Sequence, residues 1–227
     1  MASPAPQEGE PSMIHISIGN SKMGMIPSFS LPAVTTCREG VPCAKRCYAR
    51  LFHKSVLNGY DENFEMAHHL LRLENELNTW FSLHKTVKIF RIHVSGDYFS
   101  VPYLKMWIRI ARNHKDIQFF SFSKQWDVVR QSITWPHNLP KNFTMILSAW
   151  MPIGDRDVWM PPKDLFDNYP IAYVIDPKKR AEQMVALEKV IGTRRLLRTQ
   201  ECTGNCEACG LCFHRRKKDG DILFSLH

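Results

Sequence analysis

The chain has 227 residues, a formal net charge of +8 and a sequence pI near 9.2. Hydrophobic residues make up 44%, enough for a core, and the length sets one domain or one domain with a small appendage. No apolar run reaches the roughly 18 residues of a membrane span, and no cationic stretch leads into an apolar one at the N-terminus, so membrane and secreted classes are excluded and a cytoplasmic protein is expected.

Residues 1–12, rich in Pro, Glu and Ala, read as a disordered leader. A short strand is expected at 13–18. A loop over 19–36, punctuated by Gly24, Pro27 and Pro32, delivers the chain to Cys37. The pattern then turns helical from Pro42, through Ala44 to about Phe52. Asp61 is placed to cap a longer helix, with Phe64, Ala67, Leu70, Leu71, Leu77 and Phe81 at helical spacing. A strand apolar on both faces follows at 87–94 and breaks at Ser95-Gly96-Asp97. A helix is expected at 101–113, a strand at 117–122 ending on Ser123-Lys124, and a short helix at 126–133. A strand at 143–149, a loop with one helical turn over 150–168, a strand at 171–175 and a helix at 178–190 complete the order.

Strands apolar on both faces that alternate with helices predict a parallel α/β sheet. Five strands are too few for a closed eight-stranded barrel. The expected fold is a partial parallel (β/α) barrel or an open parallel sheet. Residues 13–200 form the main domain and 201–227 a cysteine-rich segment packed on it.

All seven cysteines fall in two knots: Cys37, Cys43 and Cys47, then Cys202, Cys206, Cys209 and Cys212. Disulfides are rare in the cytosol and an odd count does not close a framework, so the knots predict metal or redox chemistry. Four thiolates close a tetrahedral metal or cluster site; three leave one coordination position open. The unequal spacing of the first knot suits an iron–sulfur cube of the 4Fe-4S type. The second suits a cluster or a structural zinc, with Gly204 and Gly210 free to turn N–H groups toward sulfur. His214 is a spare ligand read as a surface residue. His68 and His69 are adjacent on a helix and point apart, so they are read as surface as well.

In parallel α/β folds the ligands gather at the carboxyl ends of strands. That rule sends the first knot, the Ser95-Gly96-Asp97 turn and the Ser123-Lys124 pair to one mouth. Asp97, His93 and Lys124 are the candidate catalytic side chains. Ser95, Gly96, Asp97 and Ser123 are the candidate cofactor-binding residues. The basic runs Lys178-Lys179-Arg180, Arg194-Arg195 and Arg215-Arg216-Lys217-Lys218 permit nucleic-acid binding. No membrane partner is expected.

The order of cysteine loop, Cys47-Tyr-Ala49, helix, strand and Ser-Gly-Asp turn is similar to the radical SAM architecture. That resemblance implies a four-iron four-sulfur cluster on Cys37, Cys43 and Cys47, whose open iron binds and reductively cleaves S-adenosylmethionine. It further implies that Ser95, Gly96 and Asp97 line the methionine end, that the second knot holds an auxiliary cluster, and that a ferredoxin or flavodoxin serves as electron donor. The segments Ser17-Ile-Gly-Asn-Ser-Lys22, Pro27-Ser-Phe-Ser-Leu-Pro32, Arg91-Ile-His-Val-Ser-Gly-Asp97 and the second knot resemble the phage gene-product-88 family over nearly the whole chain after the leader. This resemblance implies a phage protein of the host cytoplasm with cysteine-bound clusters. Two other classes are consistent with the residues: an iron–sulfur redox or scaffold protein without catalysis, and a zinc-stabilised nucleic-acid-binding module.

Overall fold

The computed structural model describes residues 13–133, 139–151, 159–214 and 220–225. Its frame is an eight-stranded sheet in the order β1-β2-β3-β4-β5-β6-β8-β7. The strands are β1 (Ile16–Asn20), β2 (Gly24–Phe29), β3 (Ile89–Ile92), β4 (Gln118–Ser123), β5 (Phe143–Trp150), β6 (Ile171–Ile175), β7 (Gln200–Glu201) and β8 (Ile222–Ser225). Among the described strands only the β1–β2 pair is antiparallel and the other strand pairs are parallel. The sheet is open, with β1 at one edge and β7 at the other.

From β2 to β6 the spatial order follows the chain order. Right-handed crossovers between such strands carry all their helices to one face. The alternation of side chains confirms that placement. Phe90, Ile92, Phe119, Met145, Leu147, Ile171 and Tyr173 join one large core with α1 (Lys54–Ala67), α2 (Leu70–Leu83), α3 (Val101–Asn113), α4 (Trp126–Ser132), the short α5 (Lys163–Phe166), α6 (Arg180–Ile191) and the short α7 (Thr193–Leu196). The residues between them, Ile89, Phe120, Phe122, Ile146 and Ala172, face the other way into two smaller clusters. Those clusters are covered by the C-terminal cysteine segment. Every residue of β5 is buried, as a strand covered on both faces must be.

Ser100 starts α3: its hydroxyl accepts from the Tyr103 amide at 3.4 Å, and Pro102 fits the first turn. Trp107 then fills the space between α3 and the sheet, 5.5 Å from Phe29 and 6.0 Å from Phe90 between ring centres. At the far end, Asp221 is buried just before β8. Its carboxylate accepts from the Ile171 amide (2.9 Å), the Tyr173 hydroxyl (2.8 Å) and the Arg195 guanidinium (2.5 and 3.0 Å). This clamp sets β8 beside β6.

Several elements differ from expectation. The stretch 24–29 is a strand; Pro27 hid it, because proline removes a ladder donor. Two helices replace the single one capped by Asp61, which lies inside α1. The break falls at His68, which ends α1, and His69, which precedes α2. Residues 44–51 form two short 3-10 turns. β7 and β8 were not expected. Among the described residues no helix is long and apolar enough to cross a membrane.

Candidate functional site

β2, β3 and β4 all send their carboxyl ends to one mouth, and the chain leaving them carries the expected residues there. The turn after β3 is stitched to the cysteine loop after β2. The Leu31 amide donates to the Ser95 carbonyl (3.0 Å), and the Asp97 amide donates to the Thr36 hydroxyl (3.1 Å), which itself donates to the Pro32 carbonyl (2.9 Å). The contact is close because residue 96 is glycine. Its φ is +77°, and a Cβ there would stand 2.6 Å from Thr36 Oγ1 and 2.8 Å from the Leu31 carbonyl oxygen. Ser30 Oγ accepts from the Val94 and Ser95 amides at 3.0 and 3.3 Å.

Asp97 is only 1% exposed. One carboxylate oxygen accepts from the Tyr98 amide and the Ser123 hydroxyl, both at 2.8 Å; the other accepts from the Lys124 amide at 2.7 Å. Gln125 closes the knot, donating its amide to Ser123 Oγ (3.1 Å) and its side chain to the Thr36 carbonyl (3.1 Å). Burial lifts the Asp97 carboxyl above the usual carboxylate range, against the downward pull of Lys124 and these hydrogen bonds.

Cys37, Cys43 and Cys47 are half-buried beside this knot and free of disulfides. Burial pushes the Cys37 thiol up to about 11, with Asp97 adding to the rise and Lys124 opposing it. Burial also raises Cys43, again opposed by Lys124. Lys124 itself stays charged: burial pulls it down, but Cys43, Asp97 and Cys37 outweigh burial and raise it. These residues therefore share one electrostatic neighbourhood. Deprotonating the cysteines there calls for further positive charge, which a bound metal or cluster supplies. Tyr48, half-exposed after Cys47, donates to the Val94 carbonyl at 2.8 Å and ties the far end of the knot to the same turn.

His93 has a different setting. It takes φ +64°, and its ring packs between Tyr98 and Tyr103, with Nε2 2.9 Å from the Tyr103 hydroxyl. Burial, helped by Arg91, pushes its pKa down to about 3, so the ring is neutral. It is a core residue beneath the turn. The hydroxyl of Ser95 is buried with no hydrogen-bond partner among the described residues, while its carbonyl holds Leu31.

The second knot lies across the opposite face of the sheet from the helices. Cys202 is anchored to β8, its amide donating to the Leu223 carbonyl at 2.9 Å. The short helix α8 (Cys206–Cys209) lies against β2, and α9 (Leu211–His214) against β4 and β5. Asn205 caps α8, accepting from the Ala208 amide at 3.1 Å, and Gly210 ends it with φ +66°. Phe213 plugs onto Phe120 (5.5 Å). Cys202, Cys206, Cys209 and Cys212 all line one small, partly open pocket of about 20 Å³. Burial raises the Cys206 thiol, while Arg91 and Lys22 lower it. Arg91 packs its guanidinium over Phe122 (5.3 Å) and Phe120 (5.9 Å). Among the described residues, no group of three or more His, Cys, Asp or Glu side chains is placed so as to hold a metal ion.

Of the basic runs, Arg195 is consumed by Asp221 and by the Phe166 ring (3.8 Å), and Arg180 pairs with Glu201. Lys178 and Lys179 stay exposed. Arg215 to Lys218 lie outside the described residues, and His214 closes α9. Sequence reasoning missed Thr36, Gln125 and Arg91 as parts of the two sites. Thr36 and Gln125 are ordinary polar residues whose partners lie 61 and 89 positions away, so no local signal marks them.

Two curated proteins are similar over nearly their whole length. The "Gene 88 protein" of Mycobacterium phage L5 is 27% identical over 231 residues, covering 93% of this chain and 92% of that protein. The "Gene 88 protein" of Mycobacterium phage D29 is 26% identical over 229 residues, with the same coverage. No solved structure matches. A model of the family described as gene product 88 matches residues 6–215, so the chain belongs to the phage gene-product-88 family.

Proposed function

We propose that this is an iron–sulfur protein of the host cytoplasm with two cysteine sites, one open and one closed. The observation that carries the reading is that the seven cysteines sort in space as they do in sequence. Four line a single pocket; of the other three, Cys37 and Cys43 stand by Lys124 and Asp97 at the carboxyl ends of β2, β3 and β4, and Cys47 neighbours Cys43. The support is the chemistry and number of the donors, not their present spacing: soft thiolates suit iron–sulfur clusters, and three or four of them match an open or a closed site. Cys37, Cys43 and Cys47 would hold the first cluster and Cys202, Cys206, Cys209 and Cys212 the second. Bound there, the clusters would supply one-electron chemistry, and the first would leave one iron for a small molecule such as S-adenosylmethionine, in the manner of radical SAM enzymes.

In this reading the chain's own groups have distinct tasks. Lys124 offsets thiolate charge. Asp97 holds the turn after β3, the end of β4 and, through its amide and Thr36, the cysteine loop in one arrangement; it is a positioning residue. Ser123 fixes the Asp97 carboxylate, and Gly96 lets the loop approach. His93, neutral and bonded to Tyr103, keeps the floor beneath them packed. Ferredoxin or flavodoxin would serve as the electron donor.

A zinc ion at the four-cysteine pocket is the second reading, favoured by four thiols from one short segment, which match zinc's tetrahedral preference. Anaerobic purification separates the two. Absorbance near about 400 nm with iron and sulfide present supports clusters; a colourless protein carrying zinc supports the alternative. S-adenosylmethionine added to reduced protein should change its electron paramagnetic resonance spectrum if the open site takes it.

A further inference from the structure

The β1–β2 hairpin is weakly held by the sheet. β2 pairs with β3 only at Ser28 and Phe29, so the tip at 20–27 overhangs its neighbour. The second cysteine segment supplies the missing support. The Cys206 amide donates to the Lys22 carbonyl at 2.8 Å, and Glu207 Oε1 accepts from the Met25 amide at 2.7 Å. Glu207 occupies the space a side chain at Gly24 would need: a Cβ there would meet the carboxylate carbon at 2.1 Å. Met23, fully buried, packs in one cluster with Phe120 and Phe213 and against Cys206 and Cys212. The other end of the segment is fixed to β8 through Cys202. β2 and β8 stand at nearly opposite sides of the sheet.

We propose that the four-cysteine segment is a clasp across the sheet, that filling its site tightens the hold on the β1–β2 hairpin, and that Glu207 is the catch. This rests on the reading that these cysteines bind a metal or cluster. The physical reason is that Cys206 and Glu207 are adjacent on one short helix. A ligand joining Cys206 to Cys202, Cys209 and Cys212 fixes that helix relative to β8, and Glu207 passes the restraint to Met25. An unfilled site leaves the same contacts on a segment free to shift.

The test uses the full chain and cobalt(II) as the probe, because cobalt–thiolate absorption reports filling of the pocket. Cys37, Cys43 and Cys47 are replaced by Ser so that the signal belongs to the second site alone. Hydrogen exchange at the Met25 amide is then measured with and without cobalt. Loading should slow exchange about fivefold, the size of one restrained hydrogen bond. Glu207→Ala should remove that slowing while keeping the cobalt–thiolate band. Gly24→Ala should do the same by displacing the carboxylate, and Glu207→Gln, which still offers an acceptor, should restore it. A cobalt–thiolate band with no change at Met25 overturns the clasp. Slowing that survives Glu207→Ala overturns the catch. Absence of the band overturns metal binding at this site and the clasp with it.

Discussion

Replacing Asp97 distinguishes a positioning residue from a catalytic one. Asp97→Ala leaves the Tyr98 amide, the Ser123 hydroxyl and the Lys124 amide without their acceptor, two of them buried. Hydrogen bonds to a charged acceptor contribute roughly 1.5–3 kcal/mol each, and orphaned buried donors cost about 1–3 kcal/mol. Burial of the carboxylate offsets part of this, since its raised pKa means the charge is held at some expense. The net loss expected is about 3–4 kcal/mol. Asp97→Asn should cost less, about 2 kcal/mol, because its oxygen can keep Tyr98 and Ser123 while its NH₂ faces the Lys124 donor. Urea unfolding of both variants, with hydrogen exchange at Tyr98 and Lys124, gives the assay. A loss below about 1 kcal/mol for Asp97→Ala, with Cys37 and Cys43 reacting with a thiol reagent at wild-type rates, would refute the idea that this carboxylate organises the mouth.

Other outcomes follow from the same geometry. Gly96→Ala forces a Cβ against Thr36 and the Leu31 carbonyl at positive φ, so about 2–4 kcal/mol of stability should be lost and, under the proposed reading, the first site's metal released, as read by unfolding and metal analysis. His93 is neutral in the fold with its pKa pushed down to about 3, whereas the unfolded chain takes a proton below about 6.5. Its folded pKa is the lower one, so stability falls as pH drops from about 6.5, by roughly 1.4 kcal/mol per unit, and His93→Gln should flatten that profile in urea titrations between pH 7 and 4.5. Asp221→Ala strands Arg195 and the Tyr173 hydroxyl; it should cost about 3–5 kcal/mol and loosen β8, visible as faster exchange at Leu223.

The sequence made the middle of the fold legible. The strands at 87–94, 117–122, 143–149 and 171–175 announce themselves because burial on both faces makes them continuous apolar runs. The mouth followed from them, since Gly96, Asp97, Ser123 and Lys124 sit where those runs stop. What stayed hidden was set by distant partners. β2 carries Gly24 and Pro27, and its strand character comes from pairing with β1. β8 is four residues long and is held by Asp221, whose partners Ile171 and Tyr173 lie 50 and 48 positions away. The helix break at His68 and His69 has no proline or glycine to mark it. The second knot was legible as four clustered cysteines, but its course from hairpin to β8 depends on Lys22, Met25 and Leu223 backbone groups, which no side-chain pattern encodes.

The two-site cluster account is tested most directly by iron and acid-labile sulfide analysis of anaerobically purified wild type beside the Cys206→Ala/Cys209→Ala double variant. The account predicts iron and sulfide in equal amounts in the wild type and about half of each in the variant, with the first site's spectrum retained. Zinc in place of iron, or loss of all iron from a soluble, folded double variant, would contradict it.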